Sequence, residues 1–125
     1  MPPLYIPDSH LRLVEEADGT IAISLTGHLL AQLGRPTWIE YAAAPGASLP
    51  PGVPFCSIET EKTAYEVALP FEASFVAENP DARANPAIVR GLAGTVGWVA
   101  KIRPASDAWR DGLLDEAAYA AYVAP

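Results

Sequence analysis

Ser57-Ile58-Glu59-Thr60-Glu61-Lys62-Thr63-Ala64-Tyr65-Glu66-Val67 reads as two short strands meeting at a tight turn, with one lysine at the tip. Upstream, Val53, Phe55 and Cys56 lead into Ile58; downstream, Tyr65, Val67 and Leu69 alternate with Ala64, Glu66 and Ala68. A period of two is the pattern of a strand buried on one face only. The turn therefore presents Lys62 to water on a stiff support. Lys62 and Lys101 are the only lysines in the chain, so the tip amine is not one of a crowd. Glu59, Glu61 and Glu66 surround it with negative charge, a placement that a partner can read electrostatically.

Outward from the hairpin, the other segments are short. Residues 10 to 25 read as an earlier hairpin, with Leu11 and Leu13 on one side of Ala17-Asp18-Gly19 and Ile21, Ile23 and Leu25 on the other. Thr26 fits a helix N-cap, and Gly27 to Leu33 a short helix closed by Gly34, with Leu29, Leu30 and Leu33 as its buried stripe. Residues 37 to 41 are β-rich, and Ala42 to Gly52 reads as loop, marked by Pro45-Gly46 and Pro50-Pro51-Gly52. After Pro70, Ala73 to Ala77 reads as a strand, and Asn79 to Pro86 as a loop holding a helical turn. Gly94 to Arg103 contains a last strand with Val96, Trp98, Ala100 and Ile102 on one face. Pro104 to Asp107 then introduces a helical tail, in which Leu113, Leu114, Ala117 or Ala118, Tyr122 and Val123 recur at helical spacing. Seven or so short strands with two helices predict a mainly β fold, a small barrel or sandwich with helical covers, in a single domain over residues 1–125.

Composition narrows the function. A 125-residue chain that is half hydrophobic and 18% charged can bury a core. A net charge of −7 with eight scattered Lys and Arg makes no basic patch, which argues against nucleic acid and anionic membrane surfaces. No apolar run is long enough to span a bilayer, and the first residues lack the character of a secretory signal. Cys56 is the only cysteine, so no internal disulfide can form; the natural setting is a reducing cytoplasm, with Cys56 as a small core residue. His10 and His28 fall on separate elements without ligand spacing, so no metal site is expected. Glu15-Glu16 and Asp115-Glu116 are accounted for by solvation or the helix dipole. Nothing in the pattern forms a self-contained active site.

In this order the pieces resemble the H-protein of the glycine cleavage system, from about His10 to Val123. His10 through Asp18-Gly19-Thr20 to Leu25-Thr26 is similar to that family's opening hairpin, and Leu33-Gly34 sits where its early helix ends. Glu59-Thr60-Glu61-Lys62 occupies the place of its Glu-Ser-x-Lys, whose lysine carries lipoic acid. Pro70, Asn79, Gly97-Trp98 and Asp115-Glu116-Ala117-Ala118-Tyr119 also match. The tip alone resembles the lipoyl domains of 2-oxoacid dehydrogenases as well, but those lack both helices. Four departures stand out: Arg12 replaces a Trp, Arg35 an acidic residue, and Ala73 a turn glycine, while Arg90 to Val96 lacks a Pro-Tyr-Gly.

The resemblance implies a lipoyl-domain-like barrel-sandwich hybrid with an early and a C-terminal helix, and lipoic acid amide-linked to Lys62. It implies a non-catalytic carrier of an aminomethyl group; the residues themselves reserve no obvious subunit interface, so a monomer is expected. Its partners would be glycine decarboxylase, aminomethyltransferase and dihydrolipoyl dehydrogenase. A lipoate ligase or an octanoyl or lipoyl transferase would load it; Glu59, Glu61 and Glu66 are then either a solvated face or the surface that this enzyme recognises. Two alternatives share the scaffold: an H-like lipoate-binding protein serving sulfur-oxidation enzymes, and an unmodified adaptor.

Overall fold

Alternating apolar residues and turn glycines cut the chain into short antiparallel strands, which a computed structural model describes over residues 2–89 and 97–125. The chain opens with β1 (Leu4–Ile6), β2 (Leu11–Glu15) and β3 (Ile21–Leu25). β2 and β3 pair from Leu11 opposite Leu25 to Glu15 opposite Ile21. Their turn uses the chemistry of Asp18-Gly19: Gly19 takes φ +85°, and Asp18 Oδ1 accepts from the Thr20 amide at 3.0 Å. Next comes α1 (Gly27–Leu33), capped by the Thr26 hydroxyl, which accepts from the Leu29 amide at 3.2 Å. Leu29 and Leu33 are buried, whereas Leu30 is only half-buried.

The chain continues through β4 (Pro36–Tyr41), β5 (Ser48–Leu49), β6 (Cys56–Thr60), β7 (Ala64–Val67) and β8 (Ala73–Glu78). α2 (Pro80–Ala84), capped by Asn79, and a 3-10 turn at Pro86–Ile88 occupy the loop where a helical turn was expected. β9 (Ala100–Pro104), a second 3-10 turn at Asp107–Arg110 and α3 (Glu116–Val123) complete the described elements. Six strands form one sheet in the order β1-β2-β3-β9-β8-β5, and β4-β6-β7 form a second. One hydrophobic cluster joins both sheets: Leu11, Leu13, Ile21, Ile23 and Ile102 come from the first, and Ile39, Ile58 and Val67 from the second. The expected mainly β, lipoyl-domain-like architecture is present, and among the described residues the sheets do not close into a barrel.

Several expectations need correction. β1 and β5 were not foreseen, because three and two residues are too few to show a period; β5 lies inside the stretch read as loop. Val53 is 49% exposed and precedes the strand rather than joining it. Ala73 opens β8, and His10 is the only non-glycine residue at positive φ among the described residues, so Ala73 needs no special turn. The last strand starts at Ala100, not near Gly94; residues 94 to 96, Val96 among them, lie outside the described residues. Trp98 stands before the strand, and its carbonyl accepts from Asn79 Nδ2 at 2.7 Å, so a side chain takes a strand partner's place. In α3 the buried residue is Tyr119, while Ala117 and Ala118 are exposed and Tyr122 is 53% exposed. The helix meets the body through Tyr119, whose ring stacks on Tyr5 at 4.5 Å and whose hydroxyl donates to Thr26 Oγ1 at 3.1 Å.

Candidate functional site

β6 and β7 pair in register from Cys56 opposite Val67 to Glu59 opposite Ala64. Alternation sends Ile58 and Val67 into the core with no exposure, and Glu59 and Glu66 outward. Glu61, Lys62 and Thr63 form the exposed connection. The turn is held largely by Thr60. Its backbone amide donates to the Thr63 carbonyl at 2.7 Å. Its hydroxyl accepts from the amides of Lys62 at 3.2 Å and Thr63 at 3.1 Å, and donates to the Leu33 carbonyl at 2.5 Å.

The support under the tip is the end of α1. Gly34 sits at φ +88°, a conformation open to glycine, and its amide donates to the Leu30 carbonyl at 2.9 Å. The Lys62 methylenes lie over it: a Cβ built on Gly34 would stand 3.6–3.7 Å from Lys62 Cγ, Cδ and Cε. The Glu61 amide donates to the Arg35 carbonyl at 3.3 Å. Gly34 also borders a groove of about 560 Å³ running along α1 past Gly27, Leu30 and Ala31 to Pro36. The lysine stem is thus guided along a helix end before its amine reaches solvent.

The two lysines differ sharply. Lys101 is tied by an ion pair to Glu16 at 3.0 Å and lies 4.8 Å from the centroid of the Trp98 ring. Lys62 is exposed and makes no ion pair among the described residues. The three glutamates do not form a ring around it. Glu61 is at the tip, while Glu59 and Glu66 belong to the outer face of the β4-β6-β7 sheet. Register places exposed Trp38 beside Glu59, and Ser57 between Glu40 and Glu66. Trp38, 57% exposed, and Glu40 were not singled out from sequence. The signal was their alternation with buried Ile39, which points both of them outward.

Folding brings His10 and His28 together, with ring centroids 4.6 Å apart, although they stand on separate elements. No third His, Cys, Asp or Glu joins them in a metal-binding group among the described residues. His10, at φ +58°, belongs to a closed cycle: the Thr26 hydroxyl donates to the His10 carbonyl at 2.9 Å, the Tyr119 hydroxyl donates to Thr26, and His10 Nδ1 lies 2.9 Å from the Tyr119 oxygen. With both hydroxyl protons committed, Nδ1 must be the donor. Burial, then the neighbouring His28, lower the His10 pKa, opposed by Asp8. Cys56 is 3% exposed, and burial pushes its thiol up to about 12, leaving it inert as expected.

The family model described as glycine cleavage H-protein matches residues 4–125. The glycine cleavage system H protein of Chromobacterium violaceum is 34% identical over 90% of this chain and 88% of its own length. That of Thiobacillus denitrificans is 36% identical over 93% of this chain and 88% of its own. The crystal structure of a glycine cleavage system H protein from Mycobacterium marinum superposes with a TM-score of 0.79 at 20% identity, covering 95% of this chain and 94% of that one, which speaks to the fold. Neither alternative drawn from sequence, the sulfur-oxidation carrier or the unmodified adaptor, gains support from these relatives.

Proposed function

The chain belongs to the glycine cleavage H-protein family, and on that footing we propose that it is a lipoyl carrier with Lys62 as its attachment point. The observation that carries this reading is the contrast between the lysines: the amine at the hairpin tip is exposed and unpaired among the described residues, while that of Lys101 is held. The residues fit the group. An amide at Lys62 Nζ removes one positive charge from a site where no described carboxylate depends on it, and the stem rests beside Gly34 with no close approach. When attached, lipoate supplies a disulfide on a long arm able to carry the aminomethyl group.

The protein's part is mechanical and electrostatic. The β6–β7 hairpin fixes where the arm begins, and the buried Ile58 and Val67 keep that point stiff. Tethering raises the effective concentration of the arm's end at each enzyme the carrier meets. Glu59, Glu61 and Glu66 give the tip and its flanking face the negative potential read by the attaching enzyme, a lipoate ligase or an octanoyl or lipoyl transferase. The carrier serves glycine decarboxylase, aminomethyltransferase and dihydrolipoyl dehydrogenase in turn, performing no catalytic step of its own, as a one-domain cytoplasmic monomer. The test is glycine–bicarbonate exchange by glycine decarboxylase supplied with the lipoylated chain. Exchange that requires the lipoylated form supports the reading; a lipoylated chain that sustains no exchange overturns the assignment to glycine cleavage.

A further inference from the structure

We propose that Thr60 is a positioning residue for the acylation of Lys62: its side-chain hydroxyl holds the turn in the shape that the lipoate-attaching enzyme receives. This rests on the carrier reading above. A hydroxyl offers one proton and two lone pairs, and here all three are committed. The proton goes to the Leu33 carbonyl at 2.5 Å, the nearer of two acceptors, the other being the Thr63 carbonyl at 3.1 Å, and the lone pairs accept from the amides of Lys62 and Thr63. Leu33 is the last residue of α1, so its carbonyl has no partner within the helix. One atom therefore satisfies the end of α1 and closes the turn from inside, joining positions 27 residues apart in sequence. The Lys62 amide is bound directly, so the hydroxyl constrains the backbone from which the reactive side chain departs.

Without this atom the hairpin still forms, because its ladder and core lie elsewhere, but the three tip residues sample more shapes. The enzyme then binds the fraction already in the right shape, and apparent affinity falls by that fraction. The consequence is a change in KM rather than in kcat. A variant that is partly unfolded also raises the apparent KM, because the carrier is the varied substrate, so carrier concentrations are corrected for the folded fraction read from denaturant unfolding of each variant.

Thr60→Val keeps the branched shape and removes all three hydrogen bonds; Thr60→Ser keeps the hydroxyl. Lipoylation by a purified lipoate ligase with lipoate and ATP is measured as a function of carrier concentration. Thr60→Val is expected to raise KM about tenfold with kcat nearly unchanged, and Thr60→Ser to restore KM. Amide hydrogen exchange at Lys62 and Thr63 in the unmodified proteins is the second reading, expected to quicken about tenfold in Thr60→Val alone. An unchanged KM beside a normally lipoylated parent chain, or unchanged exchange at both amides, overturns the positioning role. A parent chain that accepts no lipoate overturns the carrier reading itself, and the role of Thr60 in acylation with it.

Discussion

Lys62 and His10 are both polar residues at bends in the chain, yet only the first could be understood from its neighbours in sequence. Lys62 interrupts an alternating pattern at a turn, and that pattern is local. The significance of His10 depends on Thr26, Tyr119 and His28, which reach it only after β2 and β3 have paired and α3 has packed. Thr60 lies between these cases. Its hydroxyl was visible in the motif, matching a family serine, but its partner Leu33 was not. His10 gives a prediction with a definite sign. Its pKa is lowered in the folded chain, so the unfolded chain binds the proton more readily as pH falls below the ordinary value of 6.5. This group's contribution is therefore constant above 6.5 and turns destabilising as pH falls toward the lowered folded value. Asn tolerates the positive φ at this position, so His10→Asn should flatten that part of the profile. Urea unfolding between about pH 7.5 and 5.5 is the check; equal slopes in both proteins would mean that burial beside His28 does not lower the His10 pKa.

Among the elements, those with four or more β-favouring residues or a defined cap were legible: β2, β3, β4, β6, β7, β8 and α1. Those whose existence depends on a distant partner were not. β1 is three residues long and gains its place by pairing with β2 and bridging Tyr5 to Leu114. α3 is present but starts at Glu116, after Leu113 and Leu114, with Leu114 bridging to Tyr5 instead; its contact residue is not the expected one, because an eight-residue helix resting on one aromatic stack carries no full amphipathic stripe. The hairpin that holds the tip makes a quantitative prediction. Val67 is fully buried opposite Cys56, so Val67→Ala should leave a small cavity and cost about 1–3 kcal/mol of stability. Denaturant unfolding would show this as a lower midpoint with an unchanged slope. An unaltered midpoint would mean that the core beneath the turn contributes no rigidity there.

For the whole molecule, composition excluded more than it identified. The charge of −7 spoke against nucleic acid and anionic membranes but left every acidic carrier or adaptor open. Among the described residues no helix is long and apolar enough to cross a membrane. The order of motifs along the chain did far more, because a turn lysine, an early helix ending in Leu-Gly and a short C-terminal helix must all be present in sequence to give this arrangement. What sequence order could not convey was sidedness: Glu59 and Glu66 share an outer sheet face with Trp38 and Glu40 instead of encircling the lysine. The central claim is that the Lys62 amine, and not that of Lys101, receives the lipoyl group. Intact mass followed by peptide fragmentation, after incubation with lipoate, ATP and lipoate ligase, tests it most directly. The expected result is one lipoyl group located on Lys62 and none on a Lys62→Arg variant; an unmodified chain, or an adduct located on Lys101, would contradict it.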